Sequence, residues 1–263
     1  MKKFFLFLAI SWLMGLPLSA QRRGINVMEL MERAEQGDTA AQYTLGYCYD
    51  RGLGLRKDVT RAAHWYEQAA QQGHADAQYA LGDCYAQGDG VERNDSLSAV
   101  WMERAARQGH IAAQYAIGVA CLNGVGVVRD EAAAVRWFRQ AAAQGDADSQ
   151  FNLGYCLEQG VGIDRDAKKA LFWYEEAATQ GMPEALYNLG RCAMEGIGME
   201  KDVKRGLFWL EEGAKRHDER SMLYLADIYE KGEVVKRDAK KAEKWRRKVK
   251  YPPPTPPQGR GEE

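Results

Sequence analysis

Six tryptophans, Trp65, Trp101, Trp137, Trp173, Trp209 and Trp245, stand 36 residues apart along the chain. A fixed period of that length marks an array in which one supersecondary unit stacks on its copies. The glycines keep the same period. Gly46, Gly82, Gly118, Gly154 and Gly190 form one set, with Ala226 in the sixth place. Gly52, Gly88, Gly124, Gly160, Gly196 and Gly232 form a second set, and Gly54, Gly90, Gly126, Gly162 and Gly198 a third. Gly37, Gly73, Gly109, Gly145 and Gly181 close the units, so the period absorbs 21 of the 27 glycines.

Each unit reads as two helices. In residues 39–51, Ala41, Leu45, Cys48 and Tyr49 fall at i, i+4, i+7 and i+8, a single apolar stripe. Gly52 follows, suited to the left-handed backbone that ends a helix. Asp58 can cap the free N–H groups of a second helix, and Asn94, Asp130, Asp166, Asp202 and Asp238 repeat that role. The second helix is expected to bury Val59, Ala62, Tyr66, Ala69 and Ala70. Gly46 and its counterparts would each cost roughly 1 kcal/mol against alanine inside a helix. Their recurrence implies a neighbouring helix too close for a side chain.

Gly160-Val161-Gly162, ahead of Asp164 and Asp166, could be taken for the start of a nucleotide-phosphate loop. Such a loop follows a strand and serves one crossover. Here the pair follows a helix and recurs in nearly every unit, so it reads as a helix-terminating turn.

The recurring pattern Ala41, Leu45-Gly46, Tyr49, Gly52-x-Gly54, Lys57-Asp58, Trp65-Tyr66, Ala69-Ala70 and Gly73 resembles the Sel-one-like repeat, a relative of tetratricopeptide repeats. The resemblance covers residues 38–250 in six units. It implies an all-α, right-handed superhelical solenoid of antiparallel helix pairs, whose first helices line a concave groove. It also implies an adaptor in protein complexes rather than an enzyme. Unit six departs most, with Ala226, Val234 and His217 in glycine places.

The five cysteines bear on the same resemblance. An exported array is distantly similar to the cysteine-rich secreted repeat proteins of Helicobacter, which tie each unit with two cysteines. This chain has one per unit, so that pairing does not carry over. Cys48, Cys84, Cys156 and Cys192 share a position held elsewhere by Ala120 and Ile228, an apolar packing position. Equivalent helices of adjacent units should lie about 9–10 Å apart, beyond the roughly 7 Å Cα limit for a disulfide. Buried free thiols are expected; Cys121 is displaced by one position.

No metal or cofactor motif is present: H-E-x-x-H, C-x-x-C, S-x-x-K and G-x-S-x-G are all missing. His64, His74, His110 and His217 are scattered and read as exposed turn residues rather than metal ligands. A formal charge of −1 argues against nucleic acid as the partner. The tryptophans read as packing, each burial stabilising by roughly 3 kcal/mol or more. Two alternatives remain: a β-lactamase-like hydrolase, known among secreted relatives, and a peptidoglycan or sugar binder.

Residues 1–20 read as a signal peptide. Lys2 and Lys3 precede an apolar run, and Leu18-Ser19-Ala20 offers a cleavage point. The run is too short for an integral membrane span, and no cysteine follows for lipid anchoring. The expected product is periplasmic or extracellular. Residues 21–37 would hold an N-terminal capping helix, at about 26–36, and residues 251–263 a proline-rich extended tail. Segment 236–250, with nine basic and two acidic residues, reads as the polar cap of the array. Nothing in the sequence speaks to the oligomeric state.

A protein or peptide partner would meet residues that vary while their neighbours stay fixed. One such position runs Tyr47, Asp83, Val119, Tyr155, Arg191, Asp227; another runs Thr44, Ala80, Ala116, Asn152, Asn188, Tyr224. Both are expected to stand clear of the buried stripe and to face the groove. Tyr47, Asp83, Asn152, Tyr155, Asn188, Arg191 and Asp227 are the candidate contacts, suited to an extended peptide held by side-chain and carboxamide hydrogen bonds.

Overall fold

The computed structural model describes residues 26–250. The signal peptide and proline-rich tail read from the sequence lie outside the described residues. These form thirteen α-helices and no strand, an all-α repeat fold. The chain divides into two compact units, residues 1–128 and 129–263.

The first unit contains α1 (Val27–Glu35), α2 (Thr39–Arg51), α3 (Val59–Gln71), α4 (Ala75–Gln87), α5 (Asp95–Arg107) and α6 (Ile111–Asn123). The second contains α7 (Glu131–Ala143), α8 (Ala147–Gln159), α9 (Ala167–Thr179), α10 (Pro183–Glu195), α11 (Val203–Lys215), α12 (Glu219–Lys231) and α13 (Ala239–Lys250). Even-numbered helices are the first helices of the repeats, and odd-numbered helices from α3 onward are the second.

Local chemistry sets the ends. Asp58, Asn94, Asp130, Asp166 and Asp202 each accept a hydrogen bond from the amide three residues on, and Asp238 does the same for Lys241. Each first helix stops at a left-handed glycine, Gly160 in α8 (φ 76°), whose N–H bonds the Cys156 carbonyl. Gly162 has a further reason to be glycine. At φ +67° a Cβ there would lie 2.3 Å from the Glu131 carbonyl oxygen, at the start of α7. The suspected phosphate loop is therefore a turn pressed backbone-to-backbone on the preceding second helix. Gly90 makes the equivalent approach to Val59 in the first unit.

Inside each pair the helices nearly touch. A Cβ on Gly154 would sit 2.8 Å from the Tyr174 ring, which is the close approach the sequence implied. Ala41, Leu45, Cys48 and Tyr49 are buried, as are Ala62, Ala63, Tyr66, Ala69 and Ala70; Val59, at the exposed first turn of α3, is only half-buried.

Two expectations need correction. Trp65, Trp101, Trp137, Trp173 and Trp245 are half-buried, and only Trp209 of the six is buried. The deep core position is the next one: Tyr66, Met102, Phe138, Tyr174 and Leu210 are enclosed. An indole edge left in water removes less surface from solvent, so the 3 kcal/mol scale belongs to that inner column. His74 and His110 are likewise not exposed turn residues. Each caps a helix, with Nδ1 accepting from Ala77 N (3.3 Å) and Ala113 N (3.1 Å). His74 stacks on Tyr43 and His110 on Tyr79, each at 4.6 Å between centroids. Their position is the N-cap that Asp38 fills, which draws the ring inward; His64 and His217 are exposed.

A glutamine clasp joins successive helices. Gln78 Nε2 donates to the Ala70 carbonyl (3.1 Å), while its Oε1 accepts from Gln108 Nε2 (2.7 Å). Gln42 and Gln150 repeat this with Ala34 and Gln72, and with Ala142 and Gln180. A buried carboxamide is tolerated because both ends are satisfied. Leu186 and Met222 fill the same buried position later in the chain.

Candidate partner-binding face

In the first unit, Tyr47 on α2 is half-buried with the Arg51 guanidinium 5.8 Å from its ring centre, and Asp83 on α4 is exposed. In the first turn of α4, Asp76 Oδ1 lies 3.3 Å from His110 Nε2. With Nδ1 taken by the cap, this geometry fits the neutral tautomer protonated at Nε2. Burial holds the His74 imidazole below its usual pKa, opposed by Asp76 and reinforced by His110.

The second unit carries a connected polar strip across α8, α10 and α12. Glu158, only 3% exposed, receives Arg191 Nη2 at 2.5 Å, the Tyr174 hydroxyl at 2.9 Å and Gln159 Nε2 at 3.1 Å. Its position along the repeat is filled by Met194 one unit later, so a carboxylate replaces a thioether in the core. Arg191 Nη1 lies 3.6 Å from Glu195, whose Oε1 accepts from the Tyr224 hydroxyl (3.1 Å). Burial opposes the Arg191 charge, but the hydrogen bond and charge of Glu158 outweigh it and hold the guanidinium protonated. Burial, then the charge and hydrogen bond of Glu195, push the Tyr224 phenol up to about 12. Tyr187 meets Tyr224 edge-on at 6.1 Å, under the Arg220 guanidinium at 4.9 Å.

The candidate contacts thus have unlike surroundings. Tyr155 is 45% exposed and offers its ring to solvent. Asn152, half-buried, donates to the Asp148 carbonyl one turn back (2.7 Å). Asp227 pairs with Lys231 at 2.7 Å. Asn188 is 7% exposed, and this corrects the expectation that its position stands clear of the packed stripe. Thr44, Ala80, Ala116, Asn152 and Tyr224 are half-buried at the same place, so the position lies on the flank of the stripe. Arg191 is committed to an internal ion pair, with its side chain 20% exposed.

Glu158, Glu195 and Tyr187 were not picked out from the sequence. Nothing in the sequence marks Glu158, since the same position reads Asp50, Ala86, Leu122, Met194 and Glu230 in the other units. In the first turn of α8, burial, then Asp146 and Glu184, push the Asp148 carboxyl up to about 6.

Paired helices with glycine turns and a varied first-helix face define a helical-repeat protein. The family model described as Sel1 repeat matches residues 39–74, 75–110, 111–146, 147–182, 183–218 and 220–248. The chain belongs to the Sel1 repeat family, whose members are generally non-catalytic protein-interaction scaffolds. A Sel1 repeat protein from Oxalobacter formigenes is similar in structure, with a TM-score of 0.81 at 32% identity over 89% of this chain and 96% of that one. A protective antigen present in uropathogenic Escherichia coli, displaying an SLR fold, has a TM-score of 0.79 at 35% identity over 86% of this chain. The secretory immunoglobulin A-binding protein EsiB of Escherichia coli is 36% identical over 69 residues, 26% of this chain. This chain spans 48% of the antigen and 14% of EsiB. No described helix is long and apolar enough to cross a membrane, and no three described His, Cys, Asp or Glu side chains group to hold a metal.

Proposed function

We propose that this chain is a non-catalytic adaptor of the bacterial cell envelope that holds a protein or peptide partner on the first-helix face of its repeats. The envelope assignment rests on the leader read in residues 1–20. The observation that carries the binding reading is the strip across α8, α10 and α12. Its side chains differ from repeat to repeat, yet Glu158 fixes Arg191, and Glu195 fixes Tyr224. Variable groups held rigidly on a repetitive frame are what selective recognition requires.

Tyr155 supplies an exposed aromatic surface and Asn152 a carboxamide for a partner's main chain. Arg191 acts by shaping the strip, through its ion pairs with Glu158 and Glu195. In the first unit Tyr47 and Asp83 hold the corresponding positions on their own first helices. EsiB is described as binding an immunoglobulin, and only the ligand class, a protein, is carried over here.

The test is capture of envelope proteins by the native chain and by Tyr155→Ala/Asn152→Ala after crosslinking in the host. Specific crosslinked partners should be lost from the double variant while its helical melting stays unchanged. Equal capture by both would refute this face. Incubation with a chromogenic β-lactam addresses hydrolysis: steady turnover abolished by the same double variant would replace the scaffold reading with an enzyme.

A further inference from the structure

The second helices of the second unit present a surface that neither the packing nor the partner face uses. Phe172 on α9 and Phe208 on α11 occupy the same position in successive repeats and are 52% and 59% exposed. One turn before each stands an exposed lysine, Lys168 and Lys204. The pattern continues on α13 with Lys240 and, in place of phenylalanine, Lys244, both exposed. The two phenylalanines belong to one surface, because Arg205 on α11 reaches Glu175 on α9 at 3.2 Å. Phe172 lies three residues before that glutamate and Phe208 three after that arginine, each about one turn from the bridge.

Solvation alone does not account for this arrangement. Single exposed apolar residues are ordinary, but two large aromatic rings in register, each backed by a cation, form a patch. Lys168, Lys204 and Lys240 sit in the first turn of their helices, at the positive end of the helix dipole, where cations are disfavoured. None of the three, nor Lys244, makes an ion pair among the described residues, whereas Lys169 is held by Asp166 at 2.9 Å. A cap for the end of an array must be polar, yet that need sets no sign. Residues 236–250 nevertheless carry nine basic and two acidic residues in a chain of net charge −1.

We infer that this second-helix face docks on an anionic lipid bilayer, with Phe172 and Phe208 entering the headgroup–acyl boundary and the lysine row lying against the phosphates. Shallow aromatic insertion combined with juxtaposed cations is the chemistry of a surface-bound protein that does not span the membrane. The first-helix face is left to the partner.

Flotation of the purified full chain with vesicles tests it. Binding should be strong to phosphatidylglycerol mixed with phosphatidylethanolamine, weak to phosphatidylcholine, and reduced when salt rises from about 0.1 M to about 0.5 M. Phe172→Ser/Phe208→Ser, and separately Lys168→Glu/Lys204→Glu/Lys240→Glu, should each lower partitioning about tenfold or more. All five side chains are exposed, so unchanged helical melting should accompany the loss. Residues 1–25 are common to parent and variants and cannot produce the difference. Absence of binding, equal binding to neutral vesicles, or partitioning unaffected by the phenylalanine pair would overturn the inference. So would equally tight retention on soluble polyglutamate that ignores the phenylalanine substitutions, which would mark an acidic protein as occupant.

Discussion

Arg191→Met removes the guanidinium from a carboxylate that is only 3% exposed. Breaking a fully buried ion pair costs about 3–5 kcal/mol, because a charge is left without its partner. Here the Arg191 side chain is 20% exposed, and Glu158 keeps the Tyr174 hydroxyl and the Gln159 amide. The loss should therefore fall near about 2–3 kcal/mol. Glu158→Met uses the residue that Met194 already places at this position one repeat later, and leaves Arg191 beside Glu195. Its expected cost is about 1–2 kcal/mol, chiefly the Tyr174 hydroxyl deprived of its acceptor. The double variant should be less damaged than the sum of the two, with a coupling of at least about 1.5 kcal/mol. Urea unfolding followed by circular dichroism gives all four corners of the cycle. A loss for Arg191→Met below about 0.5 kcal/mol, the level of an exposed pair, would refute the reasoning. Strict additivity would do the same.

Three further outcomes follow from the geometry. Burial keeps the His74 pKa low in the folded chain, so the unfolded chain takes the proton first and stability should fall as pH drops through about 6.5. His74→Asp, restoring the cap that Asp38 uses, should flatten that fall when melting is compared at about pH 8 and pH 5.5. Gly154→Ala gains about 1 kcal/mol of helix propensity but drives a Cβ to 2.8 Å from the Tyr174 ring. Net destabilisation of about 1–2 kcal/mol in urea unfolding is expected. The five cysteines are buried and free, and burial first of all pushes the Cys84 and Cys192 thiols up to about 12. Ellman's reagent should label them within minutes only after denaturant is added.

The repeat was legible because its constraints are local and recur. Gly52 ends α2, Asp58 starts α3, and Gly46 reports the approach of Tyr66, each readable from one residue type at one position. The depth of burial was less legible at the tryptophans: spacing put Tyr66 inward with Ala62, Ala69 and Ala70, as found, but the recurrence of Trp65 does not say that its ring stays half in water. His74 was misread for a related reason: its imidazole accepts the hydrogen bond that Asp38 accepts, so a cap was mistaken for a loop residue. The glutamine clasp escaped because a polar residue in an apolar stripe looks exposed until both its partners are seen. On the partner face, the variable positions were found by period alone. Glu158, which fixes Arg191, was not among them, and its role appears only when α10 brings Arg191 against it.

Photo-crosslinking with one benzophenone side chain per variant tests the division between frame and recognition face most directly. Placed at Asp83 or Tyr155 on first helices, it should join the chain to its protein partner in the native host. Placed at exposed His64 or Arg136 on second helices, it should give little of that product. Equal yields from both sets, or yields confined to the second helices, would contradict the account.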